Sequence, residues 1–378
     1  MSPTENMLLE VSSPVFVANG TLPSVSVTTE EPVASPVTIA TLASLFAAIG
    51  VSGVLGNAFV VCAVLGDRDM RSSVTNLFIL NLALSDLTIL LACVPDIVLF
   101  IRNRGWELGL GMCRALRFVE VMALYASVMT LVSVCVERYV AIVHPMRAHL
   151  LCCRKRVRLV IGALWPLSAL LAAPNLVYHE IQCARPGFAP CVMRFPSFEA
   201  FVLFKYAEFV LFYLLPLVIQ CVLYTIVGLR LFSAESFRSM APAVGREKYA
   251  RSVKARRGVI KMLVAGVTVY FISFSPHQVL LLYNTLSSQR FEETWTYLII
   301  VNMMAYTSSA CNPLLYSVFS HKFRSKFLAI LGLRRRRVVR GSGMASSNKK
   351  SDARRWSSSP ITRGGVGGQS CKTSLTQV

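Results

Sequence analysis

Five long stretches of the chain contain no Asp, Glu, Lys or Arg, and each is long enough to cross a membrane as a helix. They are residues 32–66, 159–179, 209–229, 262–289 and 294–321. At 1.5 Å per residue, about 20 helical residues cross the roughly 30 Å of hydrocarbon in a bilayer. Two further apolar stretches, 74–101 and 110–136, match them except for Asp86, Asp96 and Glu120. The pattern predicts an all-α membrane protein, a seven-transmembrane helix bundle.

The positions of the basic residues predict the orientation of this bundle. Lys and Arg near helix ends stay on the cytoplasmic side, and none precedes Arg68. With the N-terminus outside, 31 of the 39 Lys and Arg residues are cytoplasmic. We therefore predict a multi-pass protein of the plasma membrane with an extracellular N-terminus. The net charge of +20 then favours anionic lipids and signalling proteins as partners over nucleic acid. A charged fraction of only 15% argues against a soluble enzyme.

The chain divides into four segments by composition. Residues 1–37 predict a disordered extracellular N-terminus, in which Asn19 opens an Asn-Gly-Thr glycosylation sequence. Residues 38–320 form the seven-helix bundle. Residues 321–331 predict a short amphipathic helix on the membrane surface. Residues 332–378 are basic and rich in Ser and Thr, which predicts a disordered cytoplasmic tail.

Charged residues inside the spans are costly, so they are expected to face the bundle interior or a cavity. Glu120 and Arg138 are 18 residues apart, which places them on one helix face about 27 Å apart. Glu120 lies towards the outer mouth and Arg138 at the cytoplasmic end. Asp96 lies at a depth similar to Glu120, and Asp86 about 15 Å deeper, near the midplane. Two carboxylates are therefore expected at an outer cavity. Three cysteines, Cys113, Cys183 and Cys191, fall on the oxidising side, where at most one internal disulfide can form.

Short motifs, one in each span and in chain order, resemble those of the rhodopsin-like (class A) G-protein-coupled receptors over nearly all of 38–331. They are Gly56-Asn57, Leu82-Ala83-Leu84-Ser85-Asp86, Cys113 with Glu137-Arg138-Tyr139, Trp165, Pro216 with Tyr224, Phe274-Ser275-Pro276, and Asn312-Pro313-Leu314-Leu315-Tyr316. The resemblance implies a receptor, not an enzyme, that promotes nucleotide exchange on a heterotrimeric G protein. It also implies a receptor kinase and an arrestin as partners.

The resemblance assigns candidate roles to individual residues. It places around an outer ligand cavity Asp96, Glu120, Glu208, His277, Gln278, Asn302 and Tyr306. It implies an allosteric sodium ion, and no other cofactor, held at Asp86 by a polar network with Asn57, Ser127, Ser308 and Asn312. The implied activation switch comprises Phe274, Pro276, Pro313, Tyr316 and Tyr224. The implied G-protein contacts are Glu137, Arg138, Tyr139 and Met146. It also implies a disulfide between Cys113 and Cys191.

Three departures from the family pattern bear on function. Phe274 stands where the family usually has Trp, so the usual hydrogen bond from an indole to span seven is lost. Glu137 replaces the usual Asp and keeps the charge. The next cysteine after the helix 321–331 is Cys371, 40 residues further on, so apolar residues are expected to hold the helix to the membrane interface: Phe323, Phe327 and Leu331.

The ligand class is the least determined feature. The run Val94-Pro95-Asp96 and the acid in span three resemble receptors for ghrelin, neuromedin U and neurotensin-type peptides, which favours a basic or amidated neuropeptide. Amine receptors carry Asp in place of Glu120, which disfavours a small cationic amine. A small cationic amine or another small molecule is therefore the alternative ligand. Glu120 either pairs with Arg117 or awaits a cation of the ligand. A transporter is a remote alternative, because no inverted repeat is visible.

The tail contains two docking sequences. Ser357, Ser358 and Ser359 follow two arginines, and phosphates there would attract the basic pocket of an arrestin. The chain ends with Thr376 and Val378 spaced as in ligands of PDZ domains, in which the terminal carboxylate binds a nest of N–H groups. A PDZ-domain protein is therefore a further expected partner.

Overall fold

The computed structural model describes residues 35–102, 105–183, 188–238, 246–286, 291 and 294–330. Its helices are α1 Pro36–Gly66, α2 Arg68–Ser72, α3 Val74–Ile101, α4 Gly109–Val143, α5 Pro145–Leu151, α6 Arg154–Ala172, α7 Pro174–Tyr178, α8 Phe198–Phe209, α9 Leu215–Arg238, α10 Arg246–Leu286, α11 Trp295–Phe319 and α12 His321–Ile330. A π-helical turn, Val210–Leu214, joins α8 to α9. Two short antiparallel strands, β1 His179–Ile181 and β2 Cys191–Met193, form a hairpin.

Within this described part, seven helical segments are long and apolar enough to cross a membrane, which confirms the predicted seven-span bundle. Spans one, two, three, six and seven are formed by α1, α3, α4, α10 and α11. Span four combines α6 with α7, and span five combines α8, the π turn and α9. Span three packs against spans two, four and five, and span seven packs against spans one and six.

Span five begins earlier than the uncharged stretch 209–229 indicates. Its helix starts at Phe198, where the side chain of Ser197 accepts a hydrogen bond from the backbone N–H of Ala200. The first turns carry Lys205 and Glu208, which form an ion pair at 2.8 Å on one helix face. Because each charge is paired, the helix continues through residues that a count of charges places outside it.

Two glycines allow span one to pack closely on its neighbours. A Cβ atom added at Gly53 would lie 2.7 Å from Leu90 of span two and 2.9 Å from Ala310 of span seven. A Cβ atom added at Gly56 would lie 2.8 Å from Pro313. Small residues at such contacts let helix backbones approach in a membrane, where van der Waals packing and hydrogen bonds drive association.

The π turn in span five adapts the helix to Pro216. Proline has no N–H, and its ring crowds the carbonyl of the residue four positions earlier, Phe212. The carbonyl of Phe212 instead accepts a hydrogen bond at 3.1 Å from the hydroxyl of Tyr270 on span six. One residue further, the hydroxyl of Tyr213 lies 2.6 Å from that of Ser275. Two side-chain hydrogen bonds therefore join spans five and six at the level of the π turn.

The short helix α12 is held mainly by the protein, which corrects the expectation that Phe323 anchors it to the membrane interface. Phe323 is only 2% exposed and packs on Tyr316 of span seven. Phe327 packs against Phe59 of span one. Lys326 forms an ion pair with Asp67, and this hydrogen bond lowers the pKa of Asp67 below its ordinary value. Predicted sites outside the described residues are Asn19, Leu331, Ser357, Ser358, Ser359, Thr376 and Val378.

Candidate functional site

A cavity opens into the end of the bundle where the hairpin β1–β2 lies. Spans two to seven and the hairpin line about 1250 Å³ of empty space. Six of the seven residues predicted to bind a ligand line this cavity: Glu120, Glu208, His277, Gln278, Asn302 and Tyr306. Asp96 does not line it, because its carboxylate lies behind Arg117, to which it is bonded. The structure therefore brings six predicted ligand residues together around the cavity, and it places Asp96 outside the lining, bonded to Arg117.

A disulfide fixes the hairpin to the mouth of this cavity. Cys113, near the start of span three, is bonded to Cys191 of β2, with 5.9 Å between their Cα atoms, which confirms the predicted pair. The bond closes a loop of 78 residues, and loop entropy then contributes roughly 4–5 kcal/mol of stability. Arg114 adds a hydrogen bond from its Nε to the carbonyl of His179 at 2.8 Å. The hairpin is thereby held over the cavity.

Two carboxylates share one guanidinium on the side of the cavity formed by spans two, three and seven. Arg117 donates to Asp96 at 2.6 Å and to Glu120 at 3.3 Å. The hydroxyl of Tyr306 donates to the second carboxylate oxygen of Glu120 at 2.8 Å. With these three side chains in their ordinary ionised forms, their formal charges sum to −1. Of the two alternatives for Glu120, the structure shows pairing with Arg117, at 3.3 Å, the longer of the two contacts that Arg117 makes.

The side formed by spans three and five is electrically neutral. Lys205 donates to Glu208 at 2.8 Å, and the hydroxyl of Tyr125 donates to the other oxygen of Glu208 at 2.5 Å. The ring of Tyr125 stacks on Phe212, with 3.6 Å between ring centroids. Sequence reasoning missed Lys205, because the predicted span began after it. The signal was present, since Lys205 and Glu208 are three residues apart, the spacing of paired charges on a helix.

A buried histidine from the hairpin also lines the cavity and was missed. The Nδ1 atom of His179 lies 3.0 Å from the carbonyl of Asn175. Burial, with the nearby charge of Arg117, lowers the pKa of His179 to about 3, so the ring is neutral. On span six, the Oε1 atom of Gln278 is buried with no hydrogen-bond partner among the described residues. An acceptor in this position can bind an N–H group of a ligand.

The polar network near the midplane centres on Asp86 and span seven. The amide of Asn312 donates to Asp86 at 2.8 Å, and Ser309 lies close to this carboxylate. Asn57 donates to two backbone carbonyls, those of Gly53 and Ser309. Span one is therefore joined to the network through the backbone of span seven. Ser309 was not predicted, although it is the residue next to Ser308.

The remaining predicted members differ in their contacts. Ser127 is buried on span three, whereas the hydroxyl of Ser308 donates to the carbonyl of Ala305 in its own helix. A carboxylate, amide oxygens and hydroxyls are the oxygen donors that a hard cation such as sodium prefers. The residues around Asp86 therefore fit a small hard cation, with Ser309 as a better placed hydroxyl than Ser308.

The predicted switch residues lie at different levels of the bundle, because Phe274 lines the ligand cavity and the two tyrosines lie deeper. The ring of Phe274 packs on that of Tyr270, with 4.7 Å between centroids. Tyr224 and Tyr316 lie further towards the other end, packed against one apolar cluster. The prolines inside helices six and seven are Pro276 and Pro313.

At the end of the bundle opposite the hairpin, Arg138 is bonded to its neighbour Glu137. Its Nε donates to Glu137 at 2.5 Å, and a second guanidinium nitrogen donates to the other carboxylate oxygen. This is the pairing that the resemblance implies for the resting state. The hydroxyl of Tyr139 faces His144 at 3.4 Å. Met146, in the short helix α5, is 87% exposed, so its side chain is available to a partner.

Comparison with known proteins agrees with this arrangement. The family model described as 7 transmembrane receptor (rhodopsin family) matches residues 56–316. Neuropeptide receptor 15 of Caenorhabditis elegans is 33% identical over 306 residues, which are 76% of this chain and 88% of the relative. The QRFP-like peptide receptor of Branchiostoma floridae is 28% identical and covers 77% of both chains. The neuromedin-K receptor of Cavia porcellus is 32% identical over 77% of this chain and 65% of its own. The chain belongs to the rhodopsin family of seven-transmembrane, G-protein-coupled receptors.

Proposed function

We propose that this chain is a plasma-membrane receptor for an extracellular neuropeptide, which inserts a cationic group into the cavity beside Glu120. Binding there promotes nucleotide exchange on a heterotrimeric G protein. The relatives that carry a peptide-receptor name support the peptide class. The observation that carries the cation is the formal charge of −1 on Asp96, Arg117 and Glu120.

Glu120 is the acid best placed to receive this cation. Its carboxylate lines the cavity, whereas that of Asp96 lies behind Arg117. Arg117 approaches Asp96 more closely than Glu120, by 2.6 Å against 3.3 Å. A ligand ammonium or guanidinium can therefore bind Glu120 while Arg117 stays with Asp96. Glu208 is a weaker candidate, because Lys205 already neutralises it.

The experiment first identifies an agonist by screening a neuropeptide library and an amine library against calcium and cyclic-AMP readouts in transfected cells. The agonist is then compared with an analogue whose basic group is replaced by an uncharged one of similar size. Glu120→Gln keeps the shape of the side chain and removes its charge. We expect more than a tenfold loss of potency for the basic agonist, on the order of 2–5 kcal/mol, and little change for the uncharged analogue.

Glu208→Gln is the matched control, because it removes a cavity carboxylate that already has a cation. Equal potency of the basic agonist on the original chain and on Glu120→Gln would show that Glu120 serves only its internal partners. An agonist found only among amines would replace the peptide by the alternative ligand, a small cationic amine.

The same proposal places the disulfide end of the bundle outside and the Arg138 end in the cytoplasm. An extracellular disulfide agrees with the oxidising environment there, and Asn19 is then available for glycosylation. The exposed Met146 and the paired Arg138 support G-protein contact at the cytoplasmic end. Arg138→Ala should abolish nucleotide exchange while surface expression is retained, and full exchange by this variant would contradict the role.

Regulation completes the proposal. The oxygen donors around Asp86 support an allosteric sodium ion that stabilises the resting state. Sodium should therefore lower agonist affinity, and Asp86→Asn should remove this effect in radioligand binding. The tail supplies sites for a receptor kinase, an arrestin and a PDZ-domain protein.

A further inference from the structure

A recess on the membrane-facing side of spans one and two is separate from the ligand cavity. Its empty volume is about 1200 Å³ when the open space outside its rim is included. Span one contributes Ala43, Phe46, Ala47, Gly50, Val51, Val54 and Leu55. Span two and its end contribute Leu90, Val94, Val98, Ile101 and Arg102. Eleven of these twelve residues are apolar, so the recess suits a hydrocarbon occupant.

The recess opens beside the contact between these two helices. At Gly53 they are in contact, because an added Cβ atom would lie 2.7 Å from Leu90. One helical turn nearer the hairpin end, a Cβ atom added at Gly50 would meet nothing within 4 Å. The floor is buried, since Leu90 is 1% and Phe46 9% exposed, whereas the rim residue Val51 is exposed. The recess therefore has the floor and walls of a binding groove.

The length of the recess corresponds to one leaflet of a membrane. From Ala43 to Leu55, and from Leu90 to Arg102, the helices each rise over twelve residues, about 18 Å. A bilayer has roughly 30 Å of hydrocarbon, so one leaflet has about half of that. The recess runs inwards from the end of span two, on the side of the disulfide. In the proposed orientation this is the outer leaflet.

Among the described residues that line the recess, Arg102 carries the one charge, at the headgroup end. Arg102 caps span two, is exposed, and forms no ion pair with another residue of the described ranges. A guanidinium binds a phosphate by charge-assisted hydrogen bonds. A sterol offers only a hydroxyl at this level and leaves the charge unmatched.

We infer that this recess binds a phospholipid of the outer leaflet, with one acyl chain along Gly50 and Leu90 and its phosphate on Arg102. The bound chain covers the apolar floor of the recess. The bound chain also contacts Phe46, which lines the recess. The ring of Phe46 packs edge-on against Tyr306 of the ligand cavity, with 6.0 Å between centroids, so the lipid supports the wall of that cavity. The inference depends on the proposed orientation and not on the identity of the agonist.

The test uses the full chain in nanodiscs of phosphatidylcholine containing a phosphatidylcholine probe with a diazirine on one acyl chain. After irradiation, labelled positions are mapped by mass spectrometry. Gly50→Phe fills the recess with a side chain. Gly162→Phe is the matched control, because Gly162 also faces open space, on span four. We expect Gly50→Phe to lower labelling of spans one and two by about fivefold or more and Gly162→Phe to leave it unchanged.

A second comparison tests the phosphate contact. Arg102→Gln should lower labelling by the phospholipid probe by up to about tenfold, and it should not affect a diacylglycerol probe with the same acyl chain. Thermal unfolding of each variant shows that the bundle is intact. Labelling of the recess no stronger than that of other membrane-facing positions would overturn the inference. Preferential labelling by a sterol probe, or crosslinking of two receptor copies through Val51→Cys, would overturn the proposed occupant.

Discussion

The hydroxyl of Tyr270 is expected to hold the receptor in its resting arrangement. Pro216 deprives the carbonyl of Phe212 of its usual helical partner, and the Tyr270 hydroxyl supplies one at 3.1 Å. Tyr270 also packs against Phe274, the aromatic residue beside the kink of span six. A change in the relative position of spans five and six can therefore break this hydrogen bond. Tyr270→Phe removes the hydroxyl and retains the ring.

The size of the effect follows from the burial of the acceptor. A hydrogen bond contributes about 0.5–1.5 kcal/mol net, but a buried acceptor that is left without a partner raises the cost to about 1–3 kcal/mol. If only the resting state forms this bond, Tyr270→Phe shifts the equilibrium towards the active state by the same amount. This corresponds to a factor of roughly 5–150 in the equilibrium constant. If the resting state is the more populated state without agonist, basal signalling should rise by a similar factor until it saturates.

The assay measures nucleotide exchange on a purified G protein by the receptor in nanodiscs without agonist. Tyr283→Phe is the matched control, since it removes a tyrosine hydroxyl from an exposed position of the same helix. We expect increased basal exchange for Tyr270→Phe and unchanged exchange for Tyr283→Phe. Unchanged basal exchange by Tyr270→Phe, together with lower thermal stability, would refute the reasoning. It would show that the bond is equally present in both states.

Three further predictions concern the disulfide, the buried His179 and the end of the tail. Cys191→Ser should remove surface expression and ligand binding, measured by flow cytometry and radioligand binding, whereas Cys183→Ser should retain both; the reverse result would contradict the disulfide assignment. The folded pKa of His179, about 3, lies below its ordinary value of 6.5, so the stability it contributes is present above pH 6.5 and is lost as the pH falls. At pH 5 the loss is about 2 kcal/mol, and a His179→Gln variant should show a smaller drop in Tm between pH 7 and 5. One Gly appended after Val378 should abolish pull-down by PDZ domains without changing G-protein signalling. Unchanged pull-down would contradict binding of a PDZ domain to Thr376 and Val378.

The sequence predicted the spans well because a bilayer excludes unpaired charge, so long uncharged stretches have few alternatives. The same rule failed at the start of span five, because it counts charges and cannot see that Lys205 and Glu208 neutralise each other. The helix around them also faces the ligand cavity, where charged residues are tolerated. Boundaries of spans are therefore least predictable where they carry function.

The sequence predicted most of the residues around the ligand cavity, but it did not predict which of them are bonded to each other. Sequence reasoning showed that Glu120 needs a partner, but Arg117 can reach two acids from its position on span three. Which acid receives the shorter bond depends on side-chain rotamers and on the approach of span two. His179 was missed for a different reason, since only the folded hairpin, fixed by its disulfide, brings it over the cavity.

Span seven connects the ligand cavity to the polar network. Tyr306 donates to Glu120 in the cavity, and Asn312 donates to Asp86 near the midplane. The two residues are six positions apart, about 9 Å along the helix. Under the proposed function, a ligand cation at Glu120 would contact the carboxylate that also accepts the hydroxyl of Tyr306. Because a helix moves largely as a unit, weakening the upper bond changes the strain on the lower one. We therefore expect span seven to transmit ligand binding to the Asp86 network. Phe274 cannot contribute the usual hydrogen bond to span seven, because it has no indole.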